Sequence, residues 1–354
     1  MAVTDPSGEP AFAVGERGYG GASPALIVAE IAQAHDGSLG LAHAYIDAVA
    51  ETGADAVKFQ MHLAGEESTR DEPWRTKFSR QDDTRYDYWR RMEFSAEQWA
   101  GLCDHAHERG LLFVCSPFSA AAVDLMAMIG ADVLKIASGE TFSLESLVAR
   151  GGAMPVIVST GMSDWQAIDA AIDVVRARNV PFCVLQCTTK YPTPLTDVGL
   201  NVLDAMRGRY GCAVGLSDHS GQVFPALAAL ARGFDALELH ITLDRRMFGP
   251  DVSSSLTCEE FAHVCAARDA FHTMTTSPVD KDEAASGLDQ VRAIFSKSVA
   301  TNDDLSAGVV LERGHLTLKK PGMGIPAAEL DSLVGRRLRV AVTADRLLKP
   351  SDLE

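Results

Sequence analysis

The residues of this chain that could do chemistry fall repeatedly in one kind of place, the end of a short run rich in Val, Ile, Leu and Ala. Lysines stand there at Lys58 and Lys135, histidines at His219 and His240, and a glutamate at Glu30. Hydroxyls and an amide join them at Ser116, Ser138, Ser159, Thr188, Ser217 and Gln60, with Glu140 two residues beyond Ser138. Two histidines on adjacent strands can reach one ion without distorting the backbone, because neighbouring strands lie about 4.8 Å apart. Two nitrogens completed by water and substrate oxygens suit Mn²⁺ or a similar divalent ion better than an all-oxygen Mg²⁺ site, and Co²⁺ is a further option. Asp218 and Glu238 stand close enough in sequence to orient such a ligand or to ligate. The two lysines serve either as Schiff-base nucleophiles or as clamps for an anion. The hydroxyls around them favour the clamp. Glu30, His35 and Glu140 are acid or base candidates by position, and Tyr191 leads a stiff Pro192-Thr193-Pro194 loop able to hold a ring over a pocket.

Residues so far apart meet only if one architecture gathers them. The runs are Ala25–Glu30, Ala54–Gln60, Leu111–Ser116, Asp132–Ser138, Pro155–Thr160, Phe182–Thr188, Cys212–His219 and Asp235–His240, and helical stretches alternate with them. That recurrence predicts a (β/α)8 barrel of the TIM type, in which every parallel strand points its carboxyl end at one face. Helices are expected at Leu39–Glu51, Ser95–Arg109, Ala120–Ile129, Trp165–Arg178, Val198–Arg207, Gln222–Arg232 and Cys258–Phe271, several stopping at a glycine such as Gly53, Gly110, Gly130 or Gly233. One connection is far too long. Met61 to Phe94, dense in charge and aromatics, follows the second strand and is expected to be a lid or partner contact on the active-site face.

The chain of 354 residues exceeds the roughly 250 of a bare barrel. Residues 1–24 read as a flexible lead-in, 25–272 as the barrel, 273–290 as a linker, and 291–354 as a small mostly-β domain with strands at Ala293–Val299, His315–Lys319 and Leu338–Ala341. A net charge of −16 disfavours nucleic acid as partner and makes an anionic substrate depend on local cations. Seven cysteines without a Cys-x-x-Cys pair argue against disulfides or a structural zinc, and most are expected to be buried thiols. No apolar run reaches the roughly 20 residues of a membrane span and no leader pattern opens the chain, so a cytoplasmic location is expected.

A series of motifs runs along the chain: Ala29-Glu30-Ile31 with His35 and Gly37, Lys58-Phe59-Gln60, Ser116-Pro117-Phe118, Lys135 to Glu140, and Ser159-Thr160-Gly161-Met162. Cys187 to Pro192, Gly215 to His219, His240 to Asp244 and Gly249-Pro250-Asp251 continue it. Taken in order, these motifs resemble the sialic acid synthase family of phosphoenolpyruvate-condensing enzymes. Leu316 to Ile325 resembles the centre of the antifreeze-like SAF domain that follows the barrel in that family. The resemblance implies condensation of phosphoenolpyruvate with an open-chain amino-sugar aldehyde to a 2-keto-3-deoxy acid and phosphate. It implies phosphoenolpyruvate at Lys58, Ser116, Lys135, Ser138, Ser159, Thr189 and Ser217, a divalent metal at His219 and His240, and the acceptor sugar at Gln60, Tyr191, Asp251 and Lys320, with Glu30 near the reacting carbons. It also implies a homodimer in which each small domain covers the partner's barrel. Four positions depart from the family pattern: Ala34 for Asn, Leu239 for Lys, Val252 for His, and Lys320 for the Arg that meets the acceptor's acyl group. These leave the acceptor open, with a bacterial diamino sugar or an unacylated sugar as alternatives to N-acetylmannosamine. Two rival readings stand beside this one: a 3-deoxy-octulosonate or heptulosonate phosphate synthase using Arg75, Arg80, Arg85, Arg90 and Arg91 for a terminal phosphate, and an inactive homologue that binds a sugar acid or phosphoenolpyruvate.

Overall fold

The computed structural model describes residues 9–354 and divides them at Thr276 into two units. Residues 1–8 of the expected lead-in lie outside the described residues. The remainder of that lead-in differs from expectation, because Phe12–Val14 (β1) and Arg17–Tyr19 (β2) pair as an antiparallel hairpin. The hairpin forms for a hydrophobic reason: Phe12, Val14 and Tyr19 are buried in one cluster with Leu26, Val28, Val114 and Ile157, so it stoppers the amino-terminal end of the barrel.

Eight parallel strands follow: Leu26–Ala32 (β3), Ala56–Met61 (β4), Leu112–Pro117 (β5), Val133–Ile136 (β6), Val156–Ser159 (β7), Phe182–Cys187 (β8), Ala213–Asp218 (β9) and Ala236–Thr242 (β10). Each pairs with the next, and β10 also pairs with β3, so the sheet closes on itself as a (β/α)8 barrel. Alternation along each strand divides the side chains. In β4, Val57, Phe59 and Met61 turn outward to the helix layer, whereas Ala56 enters the inner cluster and Lys58 and Gln60 line the cavity above it. In β10, Leu237, Leu239 and Ile241 turn outward, Ala236 joins the floor, and Glu238 and His240 face the cavity. The interior is therefore an apolar floor with a polar layer on top, as the period-two pattern requires.

The outer helices are Leu39–Ala50 (α1), Ala96–Glu108 (α4), Ala120–Ile129 (α5), Leu144–Arg150 (α6), Trp165–Arg176 (α7), Leu200–Tyr210 (α8), Phe224–Ala231 (α9) and Cys258–Thr276 (α10), with Ala64–Glu67 (α2) and Arg85–Met92 (α3) in the long connection after β4. Helix α6 escaped the sequence reading because its seven residues are too short to show a period. Gly130 closes α5 at φ +77°, a left-handed stop that a Cβ would strain. The long connection is packed rather than solvated: Tyr88, Trp89 and Met92 are buried with Ala64 and gather Trp74, Phe78 and Tyr86. Arg91 ties it down by ion pairs to Asp82 and Asp36, both at 2.8 Å. No helix of the described residues is long and apolar enough to cross a membrane.

The second unit, residues 277–354, begins with helices where a linker was expected, Lys281–Ser286 (α11) and Asp289–Phe295 (α12). Asp280 caps α11 by accepting from the backbone N–H groups of Asp282 and Glu283, a start signal hidden in a stretch that reads as merely polar. Residues 293–295 thus end a helix, and the strand expected there starts at Ser298. Ser298–Thr301 (β11) pairs antiparallel with Leu316–Lys319 (β12), and Leu338 makes a single bridge to Leu353. A separate core of Val299, Leu311, Leu316, Leu333, Leu338 and Leu348 holds this unit together.

Candidate active site

At the carboxyl ends of the barrel strands lies a cavity of about 580 Å³. Its bottom is a row of four buried charges contributed by β3, β4, β10 and β6. Lys58 Nζ donates to Glu30 Oε2 at 2.5 Å and lies 3.5 Å from Glu238 Oε1, and Lys135 Nζ approaches that same Glu238 oxygen at 3.5 Å. Lys135 also donates to Ser159 Oγ at 2.7 Å. Glu238 Oε2 is buried without a hydrogen-bond partner, so this carboxylate is held by charge more than by donors. Two carboxylates and two ammoniums are mutually neutral, which is how such charges persist out of water. Burial would raise the Glu238 carboxyl, but Lys135, Lys58 and His219 outweigh it and hold it below the usual range. At Glu30 burial prevails and pushes the carboxyl up despite Lys58. Burial opposes the charge of both lysines: Glu238 and Glu30 reverse it at Lys58, whose pKa rises, while at Lys135 burial wins and the pKa falls.

Beside this row the imidazoles of His219 and His240 face each other with ring centres 5.1 Å apart. Burial drives His219 down to about 4, and burial together with His219 drives His240 well below the usual value, so both rings are neutral. His219 Nδ1 donates to the Thr188 carbonyl at 3.2 Å, which leaves Nε2 bare apart from the Tyr191 hydroxyl at 3.0 Å. Asp251 Oδ2 lies 4.0 Å from His240 Nδ1, and burial, then Glu30, raises its carboxyl to about 6. A neutral ring with one nitrogen anchored and the other available, as at His219, is what metal ligation requires, and at His240 the neighbour of Nδ1 is the Asp251 carboxyl. Among the described residues no three His, Cys, Asp or Glu side chains form a ready metal cluster, so a metal here would take these two imidazoles and complete its shell from solvent or substrate.

The remaining expected side chains divide. Ser138, Ser159, Thr189 and Ser217 line the cavity, as do Gln60, Tyr191 and Asp251. Ser138 Oγ accepts from the Gly161 N–H at 3.1 Å, and a Cβ on Gly161 would lie 2.3 Å from Thr189 Oγ1 and 2.7 Å from Ser138 Oγ, so only glycine leaves this hydroxyl cradle open. Ser116 is fully buried with an unpartnered hydroxyl and is not part of the lining, and Thr188 turns away to donate to the Asp197 carbonyl. Asp218 is engaged by the backbone N–H and hydroxyl of Ser220. His35 is buried against Phe94 and accepts from the Gly37 N–H, a structural role. Glu140 does line the cavity. Lys320 belongs to the second unit, its ammonium 5.1 Å from the Phe295 ring centre. Leu239 packs into the outer layer, so that departure does not reach the cavity.

Other lining residues were not singled out for this site, although Phe118 ends one of the motifs, Arg75 was a candidate for a terminal phosphate, and the long connection was expected on this face. Gln33, His62 and Phe118 stand at strand ends or just beyond, while Glu67, Arg75 and Trp89 come from the long connection. Glu238 was legible only in part: it precedes His240 by two, and alternation puts both on one face. Its place between two lysines needs the closed barrel. All seven cysteines are free, and Cys187, whose thiol burial pushes up, lines the cavity as a hydrogen-bond partner of Ser138.

With this geometry in view, comparison with known proteins gives consistent matches. The NeuB family model matches residues 45–279 and the SAF domain model residues 296–354. The N,N'-diacetyllegionaminic acid synthase of Campylobacter jejuni is 31% identical over 333 residues, covering 92% of this chain and 98% of that protein. The N-acetylneuraminate-9-phosphate synthase of Homo sapiens is 30% identical over 338 residues, 93% of this chain and 92% of the other. Among solved structures, the N-acetylneuraminic acid (sialic acid) synthetase of Leptospira borgpetersenii in complex with citrate superposes with a TM-score of 0.68 at 26% identity, over 79% of this chain and 96% of that one.

Proposed function

The chain belongs to the NeuB family, and from that premise we propose that it condenses phosphoenolpyruvate with the open-chain aldehyde of an amino sugar, giving a nonulosonate-type 2-keto-3-deoxy acid and phosphate. The observation that carries this reading is the pair of buried ammoniums sharing one Glu238 oxygen beside two neutral imidazoles. Phosphoenolpyruvate brings a carboxylate and a phosphate, and Lys58 and Lys135 with the hydroxyls of Ser138, Ser159, Thr189 and Ser217 are donors suited to both. Two cations at fixed positions hold the anionic ends in register and stabilise charge on the departing phosphate without a Schiff base. Carbon three of the enol phosphate forms the new bond to the aldehyde carbon, whose oxygen takes up a proton. Water then adds at carbon two, giving up one proton that balances the proton taken by the aldehyde oxygen, and the bond from carbon two to the phosphate oxygen breaks as the second proton leaves with phosphate and carbon two becomes the keto group. Glu30, with its raised carboxyl and its contacts to Lys58 and Gln60, is the group placed to hold or move the first of these protons.

A divalent ion, Mn²⁺ by preference, would be held by His219 and His240 and supply Lewis acidity toward the acceptor's carbonyl. Gln60, Tyr191 and Asp251 are read as acceptor contacts from the same subunit, and Lys320 as one from a partner's small domain. A swapped homodimer accords with the exposure of Leu288, Val291, Ile294 and Phe295 at α12, each 47–64% accessible. Soluble cytoplasmic synthesis fits this substrate class. Of the five arginines considered for a terminal phosphate, Arg85, Arg90 and Arg91 are paired with Glu72, Glu93 and Asp82, whereas Arg75 lines the cavity over the Tyr191 ring, so the acceptor panel includes a phosphorylated aldose. The deciding experiment incubates the protein with phosphoenolpyruvate, Mn²⁺ and a panel holding N-acetylmannosamine, a diacetylated diamino hexose, mannosamine and arabinose 5-phosphate. Phosphate release with a product of the summed mass less phosphate is expected for an amino sugar. Release with arabinose 5-phosphate alone, or none with any aldose, overturns the proposal.

A further inference from the structure

His62 is sandwiched between two aromatic rings, Trp89 at 3.9 Å between centres and Phe118 at 4.4 Å, with interplanar angles of 16° and 7°. Such a stack fixes the plane of the imidazole. Its edges are fixed as well. Nδ1 lies 2.7 Å from Glu67 Oε1, whose other oxygen accepts from the Leu63 N–H at 3.2 Å, and Nε2 lies 2.9 Å from the amide nitrogen of Gln33 and 3.4 Å from Gln60 Oε1. A carboxylate can only accept and an amide nitrogen can only donate, so the shorter contact at each edge of the ring puts the proton on Nδ1 and leaves Nε2 to accept. The Gln33 amide nitrogen also donates to Gln60 Oε1, and Gln60 then has its own nitrogen directed at Glu30 Oε1, where it donates at 2.6 Å. Glu67, His62, Gln33, Gln60 and Glu30 thus form one chain of hydrogen bonds whose direction is set at its Glu67 end. His62 and Gln33 are 3% and 7% exposed, so water does not easily substitute for either partner.

We infer that His62 is a positioning residue for the condensation: its tautomer, locked by Glu67, sets the amide directions of Gln33 and Gln60 and so the donor presented to Glu30. This rests on the reaction proposed above. Turning the tautomer over would oppose Nε2–H to the Gln33 amide, and the compensating flips would end with an amide oxygen facing the Glu30 carboxylate. The reacting end would then hold an acceptor-acceptor contact in place of a hydrogen bond.

Two substitutions separate the relay from the stack. His62→Phe keeps a ring between Trp89 and Phe118 but cannot accept from Gln33. His62→Gln loses the ring but keeps an oxygen for Gln33 and a donor for Glu67. The relay predicts that kcat for the aldehyde falls on the order of tenfold to a hundredfold in His62→Phe with little change in KM for phosphoenolpyruvate, and that His62→Gln recovers most of it. The opposite ranking assigns His62 to packing and overturns the inference. If His62→Phe fails to fold, Gln33→Met breaks the same link one step along and should show the same split in kcat and KM. Independently of turnover, the imidazole nitrogen shifts of ¹⁵N-histidine-labelled protein should report Nδ1–H at His62, lost as a fixed form in Glu67→Ala; a Nε2–H ring refutes the relay. A wild-type protein that turns over no aldehyde refutes the proposed reaction, and the relay then stands or falls on the nitrogen shifts.

Discussion

Replacing Glu238 by Gln tests the charge arrangement at the base of the cavity while leaving its volume unchanged. One carboxylate oxygen sits 3.5 Å from each of two ammoniums. At an effective dielectric of about 20, each pair is worth about 5 kcal/mol by Coulomb's law. The desolvation of all partners offsets much of that sum, and removing one member of a buried ion pair is observed to cost about 3–5 kcal/mol. The amide would also leave Lys58 and Lys135 with only Glu30 between them, a net positive charge in a buried layer. Glu238→Gln should therefore lower barrel stability by about 3–5 kcal/mol in anion-free buffer. All four tryptophans, Trp74, Trp89, Trp99 and Trp165, lie in the barrel unit, so urea unfolding followed by their fluorescence reports that unit. Inorganic phosphate should recover part of the loss by taking up position near the unbalanced ammoniums. A loss under about 1 kcal/mol, with no response to phosphate, would mean that the lysines are not balanced by this carboxylate and would refute the reasoning.

The other expectations are these. Phe12→Ala should destabilise the barrel by about 3–5 kcal/mol, because a fully buried ring of the hairpin stopper is lost, yet leave KM for phosphoenolpyruvate unchanged; unaltered urea midpoints would show that the hairpin only rests on the barrel. His35 has its pKa lowered from 6.5 to about 3, by burial first and then by His62 and Arg91. The unfolded chain therefore binds that proton first, and the stability due to neutral His35 is complete above pH 6.5 and lost as pH falls toward 3, at up to about 1.4 kcal/mol per unit. His35→Asn, which keeps an acceptor for the Gly37 N–H, should flatten the dependence of unfolding free energy on pH between 6.5 and 4 by up to one proton; an unchanged slope would exclude this assignment. His240→Ala and His219→Ala should each weaken Mn²⁺ binding measured calorimetrically and abolish phosphate release, and chelation should silence the wild type reversibly; Mn²⁺ binding unchanged in either variant would place the metal elsewhere.

The strand runs could be read in sequence because a barrel strand is sampled by two solvents at once. Leu237, Leu239 and Ile241 against Glu238 and His240 carry that alternation openly, and with it the face on which Lys58, Lys135, His219 and His240 would meet. The hairpin of Phe12–Tyr19 was not legible, since three buried residues among glycines show no period, and their burial depends on a hole that exists only once the barrel has closed. Helices α11 and α12 were missed for separate reasons: α11 is a short polar segment set by its Asp280 cap, and α12, with Val291, Ile294 and Phe295, is seven residues long, too short to show a period. Ser116 illustrates the converse, a strand-end hydroxyl that the closed barrel encloses instead of displaying.

Sequence by itself determined the barrel, the face of the site and the chemical types gathered there, since each depends on periodicity and on the identity of strand-end residues. Tertiary structure alone decided the connections among those residues. That Glu238 stands between two lysines, that His62 is clamped by Trp89 and Phe118, and that a line of hydrogen bonds runs from Glu67 to Glu30 are matters of distance and direction across strands far apart in the chain. Charge and hydrogen-bond energies fall steeply with separation and angle, and linear order carries neither.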